Sequence, residues 1–386
     1  MSGHELNRLD LSGFERAPSQ TLGAIRLIPL LKRGARDDLR IGIQKSVADL
    51  HFVTLRGQTL SPKSGYISYI PHAFVFSWGE GRDRVSNHPY RTTLGGEDFV
   101  SRDGVVGVFD KLVKKRDRQL RLLPLHFAME GFLNLFVKGP QVAYNEYATE
   151  VFTQGLSPRM EQATQGSAIH RLEEALSVFE LYPDQVGVAL CVGESLASLF
   201  IVSHPDDYRA LHSTLLRDFF SDHLYHYGLL HPALEVKSTL NATSINSIDD
   251  LEGALAELYA DQASFQDILL KELNDATLYP ETVQKMGPFR LQRFHTGLQE
   301  LGAHHIGEVI TREDGSWEYL KTYRLSKAQA KRVYLLQSLA QHDWDLDRTA
   351  EFFNQSKLQL TLRIERAGFG YILKPHVLEA ARAGRG

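Results

Sequence analysis

The sequence predicts an α+β fold: a mostly antiparallel sheet packed with helices, followed by a small all-α helix-turn-helix unit. Three observations lead to this prediction. Short runs rich in β-branched and aromatic residues recur through the first two-thirds of the chain. Two of these runs meet at Gly193-Glu194, a turn that favours antiparallel pairing. Residues 326–386 have the spacing of short helices.

Composition limits the class of protein before any element is considered. The chain has 386 residues, is 43% hydrophobic and 23% charged, and carries a formal net charge of −4. These values exclude a wholly disordered or collagen-like chain and predict two or three domains. No apolar run reaches the ~18 residues of a membrane span, and no secretory signal is visible. Cys191 is the only cysteine, which excludes an internal disulfide. We therefore expect a cytoplasmic protein with no membrane partner.

The N-terminal strands follow in order. Runs at residues 23–31 and 49–55 predict strands, and a further run at 104–109 adds another. The strongest strand pattern covers residues 66–78, where Pro71 cannot donate to a ladder and splits the run into two strands or one bent edge strand. The basic run at residues 111–118 is interpreted as a solvated helix face rather than a binding patch.

A buried helix is predicted over residues 125–137, with Pro124 in its first turn. Only His126, Glu130 and Asn134 interrupt its apolar surface, and their i, i+4, i+8 spacing places them on one line. This line is interpreted either as part of a polar cleft or as the helix's solvent strip. A second amphipathic helix is predicted over residues 167–181.

The next elements form a hairpin, a linker and a second hairpin. Residues 185–203 predict an apolar hairpin, and the His204-Pro205 step begins a helix. A Ser/Asn-rich linker at residues 237–249 precedes a helix that runs from Ile248 to about Leu273. The Asp314-Gly315 pair predicts a hairpin within residues 307–325.

The C-terminal segment has the caps and spacing of a helix-turn-helix. Asp345 can cap a helix over residues 346–353, and Ser356 with Gln359 has the form of a capping box. Leu360 and Ile364 face one way, and Gly368 ends the third helix. We expect Leu358, Thr361, Leu362 and Glu365 to form the exposed face of this third helix.

Residues 338–370, SLAQHDWDLDRTAEFFNQSKLQLTLRIERAGFG, resemble the Fis-type helix-turn-helix of bacterial enhancer-binding regulators. The resemblance implies that residues 356–367 form a recognition helix that lies in a DNA major groove. The residues that would contact DNA there are Lys357, Gln359, Thr361, Arg363 and Arg366. From Lys331 onward the net charge is about +3, mildly basic for such a unit. The alternative is a helical tail that dimerises or docks through Leu358 and Leu362.

Several earlier stretches resemble a second family. LGAIRLIPLL, LPLHFAMEGFLNLF, EYATEVFTQGLSPR and QVGVALCVGESLASLFIVSHPDDYRALHSTLLRDF are similar to the ADP-ribosylglycohydrolase- and rhodanese-phosphatase-associated protein (ARPP) domain. The similarity spans residues 21–227. It implies a link with ADP-ribose or NAD-derived metabolites and supplies no established catalytic residues.

The residues themselves suggest one acid/base site. Glu130 and Glu146, if brought together in a cleft with His126 beside them, are candidate catalytic residues, because two adjacent carboxylates raise the pKa of one. Asn134 and Arg159 are the candidate ligand-binding residues, and the arginine could hold a phosphate. The chain has neither a phosphate-binding loop nor a dinucleotide fingerprint, so no cofactor is predicted.

Three other groups are assigned structural roles. His212, His223 and His226 lack a metal-binding motif, so no metal site is predicted. Cys191 lies in an apolar strand and is interpreted as a core residue. Trp317, Tyr319 and Tyr323 share one face of the late hairpin, where they stack on nucleic-acid bases or lie beneath a helix.

Together these predictions give three segments: an ARPP-like α+β domain over residues 1–235, a linker, helix and hairpin over 236–325, and a helix-turn-helix over 326–386. The first hypothesis is a bacterial DNA-binding regulator in which an ADP-ribose- or NAD-related ligand controls a homodimer's contact with double-stranded DNA. The second is an enzyme acting on an ADP-ribose-type metabolite, with the helical tail used for oligomerisation or docking. The third is a binding scaffold for a protein partner.

Overall fold

The structure is a computed structural model that describes most of the N-terminal strands and nearly all of the C-terminal half. The described residues are 8–34, 39–43, 66–67, 74–78, 91–94, 97–100, 113–114, 178–216, 220, 223–229, 231–232, 240–286 and 288–384. All statements below concern these residues.

A nine-stranded antiparallel sheet is the centre of the described fold, which confirms the predicted α+β class. The strand order is β1-β3-β10-β11-β15-β14-β13-β12, and β2 pairs with β3. Its strands are β1 (Glu15–Arg16), β2 (Gln20–Leu22), β3 (Ile25–Leu31), β10 (Gln185–Val192), β11 (Ser195–Ile201), β12 (Tyr279–Met286), β13 (Phe289–His295), β14 (His305–Arg312) and β15 (Trp317–Arg324).

Six shorter strands form three separate two-stranded pairs. They are β4 (Leu39–Ile43) with β6 (Phe74–Trp78), β5 (Tyr66–Ile67) with β9 (Val113–Lys114), and β7 (Arg91–Leu94) with β8 (Glu97–Val100). Strands β5 and β6 pair with different partners, which agrees with the first of the two alternatives predicted from Pro71, while residues 68–73 lie outside the described residues. The basic run at 111–118, in contrast, contains strand β9 rather than a continuous helix, so that part of the prediction is wrong.

The two predicted hairpins are present. In the β10–β11 hairpin, Gly193 has a φ of 60°, the left-handed conformation that its tight turn requires. In the β14–β15 hairpin, Gly315 at the predicted Asp-Gly turn has a φ of 84°. The β12–β13 hairpin was not predicted. Strand β12 is an edge strand, where Pro280 is tolerated, and its sequence lacks a regular apolar alternation.

The described α-helices are α1 (Pro205–Thr214), α2 (Ile248–Asn274), α3 (Lys327–Gln341), α4 (Leu346–Phe352), α5 (Lys357–Ile364) and α6 (Pro375–Ala383). Helix α1 begins at the predicted His204-Pro205 step, with Asp206 and Asp207 in its first turn. Helix α2 begins after Ser247, whose side chain accepts a hydrogen bond from the Asp250 backbone amide. Both starts match the sequence expectations, because each depends on local capping chemistry.

The sheet buries apolar side chains on both faces. On one face, α2 packs through its C-terminal third against a cluster that includes Leu269, Leu273, Val309 and Leu320. On the other face, α1 and the C-terminal helices share a single cluster with the sheet. Members of this second cluster are Leu211 of α1, Phe200 and Ile310 of the sheet, Val333 of α3 and Leu360 of α5. The C-terminal helices are therefore part of the protein's main core.

The sheet also crosses the predicted boundary at residue 235. Strand β11 pairs with β15 in antiparallel register, from Ser198 opposite Tyr323 to Ile201 opposite Leu320. Residues on either side of that boundary thus share ladder hydrogen bonds. The three predicted segments remain sequence-based divisions, and the 1–235 and 236–325 segments together build one sheet.

Two glycine-to-alanine substitutions are expected to change stability in opposite directions. A Cβ at Gly187 would lie 2.5 Å from the Phe200 carbonyl oxygen and 2.7 Å from Cγ1 of Ile201. Gly187→Ala should therefore lower the free energy of unfolding by about 1–3 kcal/mol. A Cβ at Gly253, within α2, meets nothing within 4 Å. Gly253→Ala should raise stability by about 0.5–1 kcal/mol, as expected for an exposed helix interior. Urea denaturation of both variants measures this, and equal shifts would contradict the close packing of β10 on β11.

Candidate functional site

Helices α3, α4 and α5 follow one another in the described C-terminal segment, where the sequence predicts three successive helices. Helix α3 begins with a capping box between Ser326 and Gln329. At the start of α4, the Asp345 carboxylate accepts hydrogen bonds from the backbone amides of Asp347 and Arg348. Ser356 and Gln359 form the predicted capping box at the start of α5. These local interactions define where α4 and α5 begin and set the tight connection between them.

Helix α5 is buried over more of its surface than the sequence predicts. Thr361 is 1% exposed, and its hydroxyl donates to the Lys357 carbonyl one turn earlier. Leu362 is also buried. The expectation that both residues lie on an exposed face is therefore wrong, and Thr361 is not accessible to DNA in this conformation.

Helix α6 follows the three helices that the caps of this segment predict, and it packs against α5. Helix α6 packs along α5, with Gly384 against the Leu358 side chain. Arg382 of α6 donates two hydrogen bonds to Glu365, at 2.8 and 2.6 Å. Leu358 thus lies against the end of α6, and Leu362 is buried, so the docking alternative loses one of its two exposed leucines and part of the other. Pro375 at the start of α6 was the available sequence signal.

We give the name outward strip to Gln359 and Arg363 of α5 and Arg366 of the π-helical turn Glu365–Phe369 that follows it. Their i, i+4, i+7 spacing places them on one side of the helix, between the buried Leu360 and Leu362. Gln359 uses its side-chain oxygen in the capping box. Its amide N–H groups are not part of that bond and are available as donors.

The cations near the outward strip differ in their partners. Arg363 donates to Glu300 at 3.2 Å and lies 4.3 Å from the centre of the Phe353 ring. Lys357 forms an ion pair with Asp347 at 2.7 Å. Arg366 is exposed and has no carboxylate within ion-pair distance among the described residues. Of the two arginines in the outward strip, Arg363 is therefore paired with a carboxylate and Arg366 is not, among the described residues.

The start of α4 has the opposite charge. Asp343, Asp345 and Asp347 are exposed there, with Arg348 4.0 Å from the carboxylates of the first two. Backbone hydrogen bonds from Arg348 and Asp347 lower the pKa of Asp345, so that this carboxylate keeps its charge at neutral pH. These acids repel phosphate, and an anionic ligand is favoured only on the α5 side of the unit.

A row of four charged residues crosses four neighbouring strands of the sheet, β12 to β15. Glu281 of β12 is opposite Arg293 of β13, which is opposite Glu308 of β14, which is opposite Lys321 of β15. We call these four residues the buried charge row, in which Arg293, Glu308 and Lys321 are buried and Glu281, on the edge strand, is exposed. Arg293 donates to Glu281 at 2.7 and 3.0 Å, and Lys321 Nζ lies 3.2 Å from Glu308.

Two buried tyrosines lie on either side of Lys321, at one end of the buried charge row. Lys321 is fully buried, and burial lowers its pKa while Glu308 opposes that shift. Tyr319 and Tyr323 flank Lys321 on the same strand face, and Tyr319 forms a hydrogen bond with Glu308. Both tyrosines are buried, so the base-stacking interpretation is wrong for them and the covered-face alternative is confirmed. Nothing is described of the Trp317 side chain.

Two other residues that the sequence analysis considered, His212 and Cys191, are packed inside the protein. His212 is buried and its Nδ1 lies 3.1 Å from the Tyr208 hydroxyl. Cys191 is buried, and burial raises the pKa of its thiol to about 12, so the thiol is unreactive at neutral pH. Within the described ranges, no three histidine, cysteine or acidic side chains converge in a metal-binding arrangement.

The predicted acid/base site lies in another part of the chain. Glu130, Glu146, His126, Asn134 and Arg159 are all outside the described residues, so their assignment stays a prediction. The same is true of the predicted helices at 125–137 and most of 167–181. Over the described part of the chain, none of the helices has the length and apolar content needed to span a bilayer.

Comparison with known proteins gives one match. A family model described as ARPP-2 matches residues 9–287, which include strands β1 to β12 and helices α1 and α2. No curated protein and no solved structure matches the chain. The match begins before the first strand and ends beyond the predicted linker, and the C-terminal helices follow it.

Proposed function

The chain belongs to the ARPP-2 family, and from this premise we propose that it is a DNA-binding regulator that contacts the duplex through its outward strip. The observation that carries the proposal is the line formed by Gln359, Arg363 and Arg366 on the solvent-facing side of α5 and of the helical turn that follows it. In this proposal the α+β body senses an ADP-ribose- or NAD-related ligand, as the family resemblance implies.

The chemistry of the outward strip suits a nucleic acid. Arginine donates paired hydrogen bonds to phosphate oxygens or to the major-groove edge of guanine. The Gln359 amide N–H groups can donate to a phosphate oxygen or to N7 of a purine, while its side-chain oxygen stays in the capping box. Three such side chains spaced over two helical turns follow a groove edge. Helix α5 is short and its inner side is fixed by the core, which supports a rigid presentation of these groups.

The carboxylates near the strip do not prevent this contact. The Arg363–Glu300 and Lys357–Asp347 pairs are partly solvent-exposed. Exposed ion pairs of this kind contribute about 0–1 kcal/mol each, so a phosphate can replace the carboxylate. The acidic start of α4 restricts how the duplex approaches, because it must lie on the α5 side.

Removal of the two strip arginines is the direct test. Arg363→Met/Arg366→Met keeps much of the apolar stem of each side chain and removes both charges. We expect binding to a short labelled duplex, followed by fluorescence anisotropy at low salt, to weaken by roughly tenfold or more. The slope of log affinity against log salt should fall by about 2, since each lost phosphate contact removes about 0.9.

Arg33→Met/Arg209→Met is the matched control, because it removes two exposed arginines that lie outside the C-terminal helices. This control should bind DNA nearly as the wild-type chain does. Absence of wild-type binding at low salt, or an equal loss in both double variants, would contradict the proposal.

A further inference from the structure

We infer that Glu300 acts as an internal substitute for a DNA phosphate, so that the β13–β14 loop limits the affinity of the outward strip. This inference rests on the proposed function and concerns its regulation. It assigns a role to the ion pair between a loop of the sheet and the helix proposed to contact DNA.

The geometry of the Arg363–Glu300 pair allows a DNA phosphate and Glu300 to compete for the guanidinium of Arg363. Glu300 Oε1 lies 3.2 Å from Nη2 of Arg363. The side chains of Arg363 and Glu300 are 24% and 38% exposed, so the pair is open to a ligand from solvent. The Phe353 ring beneath the guanidinium holds Arg363 in place while leaving its outer N–H groups available.

The loop that carries Glu300 is anchored to the sheet. The Nε2–H of His304 donates to the Leu301 carbonyl at 3.0 Å. The ring of His304 lies so close to Gly297 and Gly302 that a Cβ at either position would be 3.4 or 3.3 Å from it. At the base of the loop, the His305 backbone amide donates to the Thr296 hydroxyl at 2.8 Å. Glu300 is thus presented by a loop with several fixed points.

A carboxylate and a phosphate compete for the same donors. Both offer anionic oxygens to the guanidinium, and Arg363 cannot give its Nη2 donor fully to both. DNA that engages Arg363 must therefore displace Glu300 and bring a phosphate near a displaced negative charge. A change in the loop that withdraws Glu300 would free Arg363 and strengthen binding without altering any DNA-contacting residue.

Glu300→Gln tests this directly, in the full chain and with the same labelled duplex. We expect affinity at low salt to rise by roughly threefold to tenfold, because the DNA phosphate no longer has to displace a carboxylate. The slope of log affinity against log salt should stay the same, since Arg363 contacts DNA with and without Glu300. The control is Glu313→Gln, which makes the same change of charge in the turn at the opposite end of β14. A general charge effect would raise affinity equally in both variants.

A double-mutant cycle identifies the partner of Glu300. In an Arg363→Met background, Glu300→Gln should give no more gain than Glu313→Gln. If the wild-type chain binds DNA and Glu300→Gln behaves as Glu313→Gln does, the inference is wrong and the proposed function stands. If no variant binds at low salt, the proposed function fails and the inference fails with it. Far-UV circular dichroism establishes that each variant is folded.

Discussion

Lys321→Met is expected to lower the free energy of unfolding by about 3–5 kcal/mol, the cost of leaving a buried charge without its partner. Lys321 is fully buried between Tyr319 and Tyr323, and its ammonium group lies 3.2 Å from the Glu308 carboxylate. Methionine fills a similar volume, so the loss arises from the uncompensated Glu308 rather than from a cavity. Urea denaturation at neutral pH measures it.

Removal of both charges gives the control for this prediction. Glu308→Leu/Lys321→Met should be less destabilised than Lys321→Met, because no unpaired charge is then buried. Arg293 would still retain its two hydrogen bonds to Glu281. If the double variant is as unstable as the sum of the two single variants, the pair is not energetically coupled and the buried charge row has no collective role.

A fall from pH 7 to pH 5 should lower the free energy of unfolding by roughly 4–6 kcal/mol through three histidines. Burial lowers the pKa of His212 and of His295 to about 4 and that of His305 to about 3. In the unfolded chain the same groups titrate near pH 6.5. Below that value the unfolded state binds protons that the folded state does not, so stability is fully present above pH 6.5 and is lost on acidification.

His305 is the clearest single contributor. Its side chain is 1% exposed, and neither ring nitrogen has a hydrogen-bond partner in the described structure. At pH 5 its share of the loss is about 2 kcal/mol, from 1.5 pH units at 1.36 kcal/mol each. His305→Leu should remove that share from the pH dependence, whatever the stability of the variant at pH 7. Urea titrations at both pH values test this, and an unchanged difference between them would refute it.

Elements defined by neighbouring residues could be predicted from the sequence, and elements defined by distant ones could not. The Asp314-Gly315 turn and the helix caps at Asp345 and Ser356 depend on contacts within a few residues. The sequence therefore locates them well. In contrast, the pairing of β11 with β15 joins segments more than a hundred residues apart, and no local pattern indicates it.

The candidate site shows the same distinction. The i, i+4 spacing of Leu360 and Ile364 correctly identifies the inner side of α5. The same spacing does not indicate that Leu362 is also buried, nor that α6, which lies outside the helix-turn-helix pattern, packs against α5. The buried charge row could not be predicted either, because its alternating signs become visible only when strand register is known.

The pairing of β11 with β15 affects how the chain folds. Until residues 317–324 are in place, β11 has an open hydrogen-bonding edge made of Ser195–Ile201, a largely apolar strand. Closing that edge requires a long-range search, which is slow compared with hairpin formation. A nascent or truncated polypeptide that ends before β15 would expose the unpaired edge of β11. We expect such a polypeptide to self-associate through this edge, rather than simply to lose activity.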